Sequence, residues 1–365
     1  MPVEYDPSDG LIKTALRMQN TILETVINNP EFWLLLGMNI SVFGLYHCGI
    51  FLPDKYNMRL EWDLTSTTGG LMTFFALFYN SNCFARYNDL YKIVKDMFGT
   101  HVELASALKG RVESIPHQRR AMRLLLASSF IFFFERTQDQ VSEQEWDQLA
   151  ELGLLTDGEI AKLQELQGLN QSFHAMQWGL HVILDGIPSW FDDHDDMVNA
   201  FHDKCYKIRQ CHARIRDTLD LPMPFQYFHI MSLMMVINLA LWSYALAIAE
   251  SYFSPVIYLF IQMIFQGIRE LSAALADPFG DDDVDFPIDE WLRDMLMACR
   301  KLLEDEFDCT FGVQEEMALR LPKEGDVNIF IDEESKQDSE LRRRTSGQTG
   351  DFDDGGDDAG SEYDE

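Results

Sequence analysis

Tyr227–Ala249 reads YFHIMSLMMVINLALWSYALAIA, twenty-three residues in which His229 is the one ionisable side chain. A helix of that length spans about 34 Å, enough to cross the hydrocarbon of a bilayer. Three more runs of this kind lie on either side of it. Phe32–Leu52 has no charge in twenty-one residues, and Thr65–Phe84 is uncharged but more polar. Ser254–Gly267 extends to Ala276 with Arg269 and Glu270 near its end. These four runs predict four membrane-crossing helices. Leu124–Phe134 is apolar for only eleven residues and predicts a buried helix of a soluble core.

The charges fall between the spans. Segment 85–225 carries fifteen Lys and Arg residues, against two in 53–64 and none in 250–253. The positive-inside rule therefore places the long segment in the cytosol, and four crossings put both termini there too. The whole chain has 365 residues and a net charge of −31, of which residues 277–365 hold −20. Such acidity disfavours nucleic-acid binding, which needs a basic surface. The six cysteines form no CxxC pair, which argues against a disulfide scaffold or a zinc ribbon. Residues 345–365 hold eight acids, five Gly and no base, and read as a solvated, disordered tail. Nothing near the first residues has the pattern of a secretory signal.

The expected fold is all-α. It begins with a lead-in helical segment over 1–30 and a first membrane hairpin over 31–84. A helical cytosolic region follows over 85–225, then a second hairpin over 226–276. An acidic and helical segment occupies 277–330, and the tail 331–365. The membrane is the plasma membrane or that of an organelle such as the thylakoid.

Two stretches carry chemistry. In the second span Gly70, Phe74 and Phe78 recur every four residues and share a helix face, with Asn80, Ser81 and Asn82 one turn on. Amides at membrane depth require protein or water around them. An aromatic strip above a polar end suits a pore lining that gates by dewetting, with Asn80 and Asn82 as its polar groups. After the fourth span comes Asp277-Pro278-Phe279-Gly280-Asp281-Asp282-Asp283-Val284-Asp285-Phe286. Calcium takes six to eight hard oxygens, and a helix C-terminus offers free carbonyls. Asp282 and Asp285 with those carbonyls form a candidate calcium shell, although the EF-hand spacing is missing. His202, Cys205, Cys211 and His212 do not converge on one helix face and read as packed side chains. Arg342-Arg343-Arg344-Thr345-Ser346 has the form of a basophilic kinase site or a solubilising cluster. No Walker loop, GxGxxG, GxSxG or HExxH is present, so no enzyme class has support.

These residues resemble the bestrophin family. Asp277–Phe286 is similar to the acidic cluster that follows the family's last membrane helix. Phe78–Tyr87 resembles its second span, and Pro222-Met223-Pro224-Phe225 stands where its third span begins. The resemblance runs over roughly residues 10–300 and implies a homopentameric anion channel around a central pore, often opened by cytosolic calcium. It implies a neck formed by Phe74 and Phe78, with Gly70 at the third neck position, where the family has an apolar side chain. It further implies side-chain calcium ligands at Asp282 and Asp285. Main-chain carbonyls would come from Ala274 and Asp277, and from the N-terminal segment near Gly10. A second constriction would fall near His194–Met197. Calcium is then the cofactor and chloride, with bicarbonate, the permeant ion. The partners are the lipid bilayer, small anions and four further copies of the chain. A secondary anion transporter and a non-conducting membrane scaffold are the alternatives; the transporter would show repeated broken helices, and none is legible.

Overall fold

Each of the apolar runs becomes helix in the structure, a computed structural model. It describes residues 10, 13, 17, 21–60, 62–137, 141–166, 171–188, 194–221, 224–249, 251–280 and 284–304. The chain divides into two units, 1–305 and 306–365. The second unit, with the acidic tail and Arg342–Ser346, lies outside the described residues, as do most of residues 1–20. Among the described residues there are eleven α-helices and no strand. They are α1 (Ile22–Asn28), α2 (Pro30–His47), α3 (Trp62–Arg111), α4 (Ile115–Thr137), α5 (Glu143–Glu151) and α6 (Asp157–Gln164). There follow α7 (Gln171–Gly186), α8 (His194–Asp220), α9 (Phe225–Ala247), α10 (Ser254–Ala276) and α11 (Ile288–Glu304).

Local chemistry sets several of these ends. Pro30 opens α2, and the Asn29 Oδ1 accepts from the Glu31 N–H at 3.0 Å. The chain leaves α2 through Gly49 at φ +71°, a left-handed conformation that glycine takes without a Cβ penalty. Capping boxes, Ser142 with Glu145 and Thr156 with Glu159, start α5 and α6.

The longest element, α3, runs unbroken for 50 residues, about 75 Å. The expected boundary near residue 84 therefore falls inside a continuous helix. The reason is that the buried spacing never lapses: Met72, Ala76, Tyr79, Cys83, Leu90, Val94, Met97, Leu104 and Leu108 all face inward. The appearance of charge after Phe84 marks a change of surroundings and not a change of backbone.

At one end of α3, its first half packs on α9 and α10, and these two helices also hold α2. Here the outward side chains are apolar: Leu34, Ile230, Leu233, Ile257, Phe260 and Ile264 are each about half or more exposed. The inward ones include amides and hydroxyls. Asn39 Nδ2 donates to the Ser243 carbonyl at 2.7 Å, Gln262 Nε2 to Phe32 at 2.7 Å, and Tyr258 Oη to Leu239 at 3.2 Å. An apolar exterior over a hydrogen-bonded interior is what a lipid environment selects. Two helices here, α9 and α10, are long and apolar enough to cross a membrane on their own measure. At the other end, the second half of α3 joins α4, α7, α8 and α11 around one large core from Leu90 to Cys299. The expected buried helix over 124–134 lies at its centre as part of α4, every residue of that stretch being buried.

Candidate pore helix and acidic loop

Two faces divide the first half of α3. Gly69, Met72, Ala76, Tyr79 and Cys83 are buried toward α9 and α10. At Gly69 the missing side chain makes room for α9, because the Trp242 ring lies where its Cβ would stand. On the other face Gly70 meets nothing within 4 Å, Phe74 is 63% exposed and Phe78 51%. The Phe74 and Phe78 rings stack with centroids 6.3 Å apart and planes 12° from parallel. Tyr227 of α9 meets Phe78 edge-on at 6.1 Å and holds that ring from the side. The structure thus brings Gly70, Phe74 and Phe78 onto one exposed strip.

The two amides part company. Asn80 lies about 200° around the helix from Phe78, and its Oδ1 accepts from Ser272 Oγ of α10 at 3.0 Å. It binds α3 to α10, where the sequence suggested a pore-lining group. Asn82, one turn beyond Phe78 on the strip side, borders a cleft of about 730 Å³. Phe78, Arg86, Asp89, Arg214 and Asp217 also line it. Arg86 donates from Nη1 to the Leu221 carbonyl at 2.7 Å and so ties α3 to the α8–α9 connection. Arg214 and Asp217 had no signal in the sequence, since they stand more than 120 residues from Phe78 and in no motif.

The acidic loop folds back on α3. Tyr87 Oη donates to the Val284 carbonyl at 3.1 Å, and the Phe286 N–H donates to Pro278 at 3.0 Å. Phe286 is buried against Tyr87, centroids 4.7 Å apart, and against Trp291 at 5.4 Å. These contacts leave Asp285 only 5% exposed. Its Oδ2 lies so near Gly280 that a Cβ there would be 2.9 Å away. Burial, followed by the Asp285 carboxylate, pushes the Tyr87 phenol above its ordinary range. Ala274 is in the last turn of α10, where carbonyls lack helical partners, and Asp277 is the exposed residue that ends it. Gly10 is exposed. Asp282 lies outside the described residues, and among those described no three His, Cys, Asp or Glu residues cluster as metal ligands. What is described is an all-oxygen set without imidazole or thiolate, a chemistry that suits a hard cation.

Of the stretch expected to form a second constriction, Met197 is buried and Asp196 borders a cleft of about 690 Å³ with Lys109 and Arg111. His202, Cys205, Cys211 and His212 spread along α8; the two thiols and His212 are buried in the core.

Residues 5–301 match the family model described as bacterial and fungal bestrophin protein. Among solved structures, a single-residue variant of a bacterial bestrophin homologue from Klebsiella pneumoniae superposes with a TM-score of 0.68 at 18% identity. That match covers 78% of this chain and 98% of the other. A second variant of the Klebsiella pneumoniae homologue gives 0.67 at 17% identity, covering 77% and 100%. No curated protein matches the chain. The resemblance read from Phe78–Tyr87 and Asp277–Phe286 is borne out by the family match.

Proposed function

The chain belongs to the bestrophin family, and from that premise we propose that it is a channel for chloride and other small anions. Five copies of α3 surround the pore, and α2, the first half of α3, α9 and α10 are the four spans of each subunit. The body and both termini face the cytosol. The observation that carries this reading is the exposed, stacked Phe74–Phe78 strip opposite the packed face of α3.

Five such strips around an axis would form two tiers of aromatic rings. A constriction of that kind loses its water column readily, and a dry column excludes ions. Gly70 offers no side chain for a third tier, so the neck is shorter and wider beyond Phe74. Below Phe78, Asn82 and the Arg86 and Arg214 guanidiniums supply positive ends toward an ion leaving the neck, against Asp89 and Asp217. Anion preference then depends on those donors and not on the chain's net charge.

For calcium, the residues that would hold it are Asp282 and Asp285 by side chain, with Ala274, Asp277 and Gly10 by main-chain carbonyl. Bound calcium supplies positive charge that offsets crowded carboxylates. The protein's own contribution is mechanical: the loop is fastened to α3 through Tyr87 and Phe286, so its position and that of the pore helix are linked. The linkage biases the neck only insofar as calcium is held more tightly with the neck open.

Purified protein in liposomes tests the reading. Chloride flux in micromolar calcium that stops with chelator, with a reversal potential following the chloride gradient, is the expected result. Silent or cation-selective vesicles overturn it. Saturable, stepless flux would mark a transporter, and no flux a scaffold.

A further inference from the structure

Deep in the body, three helices meet at a hydroxyl. Ser129 Oγ of α4 lies 3.1 Å from His101 Nε2 of α3 and 3.3 Å from His212 Nε2 of α8. All three side chains are buried. His101 Nδ1 lies 2.9 Å from the Met97 carbonyl, a pure acceptor, so Nδ1 carries the proton there. Its Nε2 is then an acceptor for the Ser129 hydroxyl. The Ser129 oxygen in turn accepts from Nε2–H of His212, whose ring stacks on Phe132 at 4.2 Å. One chain of donors thus links α8 to α4 to α3, and every member is neutral.

A second proton on each ring would put two buried cations on either side of one hydroxyl. Ser129 Oγ can accept from both, and His101 Nε2–H also has the Leu125 carbonyl at 3.4 Å, but nothing negative offsets the paired charge. The titratable groups facing the pair are its own members: α3 brings His101, α8 brings His212, and α4 brings Ser129 and the Leu125 carbonyl. No carboxylate or cation from the described parts of α3, α4, α7, α8 or α11 acts on either ring. Asp96–Lys207 at 2.7 Å and Glu103–Lys204 at 2.8 Å join α3 to α8 nearer the solvent and do not reach inward. Burial accordingly lowers both imidazoles, His212 to about 3 with His101 adding to the effect.

We propose that the His101–Ser129–His212 bridge is an acid-sensitive latch that fastens α3 to α4 and α8 and lets go as pH falls. Opening exposes the rings to water, where each takes a proton near its ordinary value of about 6.5. In the closed form burial holds both rings neutral to lower pH, His212 across the whole of that range. Linkage then favours opening between pH 7.5 and 5.5 by about tenfold for His212 and by up to about a hundredfold for the pair. In the channel reading, His101 stands roughly 34 Å along the same helix from Phe78, so the latch would anchor the pore helix. The latch itself does not depend on that reading, and its test measures no conduction.

Hydrogen exchange on the full-length protein in detergent, corrected for intrinsic rates, is the experiment. Peptides covering 97–104 and 208–215 should show the opening equilibrium rise by more than tenfold, up to about a hundredfold, from pH 7.5 to 5.5. His101→Gln should reduce the rise to about tenfold, and His101→Gln with His212→Gln should abolish it. If the double variant fails to fold, the wild-type and single-variant ratios still decide. A wild-type ratio near one, or a variant that keeps the wild-type ratio, overturns the proposal.

Discussion

Replacing Gly69 by alanine tests whether α3 is seated as the structure has it. The added methyl would lie 3.2 Å from Trp242 Cε2 and Cη2, and closer still to Cζ2. The indole has little freedom to withdraw. Its Nε1–H donates to the Thr65 carbonyl at 3.4 Å, and its ring packs on Phe265 with centroids 5.4 Å apart. Overpacking of this kind costs about 1–3 kcal/mol, while alanine returns about 1 kcal/mol of helix propensity. With the ring held at both ends, the upper part of that range applies, for a net loss of about 2 kcal/mol. At about 2–4 °C per kcal/mol for a protein of this size, the melting temperature should fall by about 4–8 °C. Gly70 provides the control, because a Cβ there meets nothing within 4 Å and Gly70→Ala should hold or raise the midpoint. Trp242→Phe should rescue Gly69→Ala, with a coupling of about 1–2 kcal/mol in the double-mutant cycle. Thermal unfolding of the purified variants measures all of this. A Gly69→Ala protein as stable as the parent, or one indifferent to Trp242→Phe, would refute the helix contact.

Other perturbations address the strip, the loop and the body. Phe78→Ala should raise calcium-independent chloride leak by about tenfold or more in liposomes, since one aromatic tier and its dry gap are lost; tight vesicles would argue against the strip as gate. Asp285→Asn should remove calcium dependence, and Gly280→Ala should weaken it, because the new Cβ crowds Asp285 Oδ2 at 2.9 Å. A calcium titration of flux distinguishes these from unaltered gating. In the body, burial alone would raise Glu159, but hydrogen bonds from Arg123 at 2.7 and 2.9 Å and from Thr156, with the Arg123 charge, bring it down to about 2. A depressed carboxylate contributes stability above its unfolded value near 4.5, and that contribution drains away as pH falls toward 2. Arg123→Gln should therefore cost about 1–3 kcal/mol at neutral pH and progressively less below 4.5, as melting curves across pH would show.

Much of the molecule was legible in the order of residues. Long uncharged runs announce helices of membrane length because a lipid-facing helix has few polar choices. The repeat of Gly70, Phe74 and Phe78 announces a shared face because the helical period is fixed. The stretch Asp277–Phe286 announced both the end of a helix and the family. What one dimension could not decide was which neighbour each polar group meets. Asn80 and Asn82 are two residues apart and chemically alike, yet one is bonded to Ser272 and the other borders the cleft. The helical period sends them in different directions, but only the position of α10 says what lies in each. Arg214 joins Arg86, and His212 joins His101, across more than 100 residues of chain. The sequence by itself determined where helices form and which residues share a face of one helix, since both follow from local geometry. The tertiary structure decided which faces meet, because that depends on side chains far apart in the chain closing on one another in space.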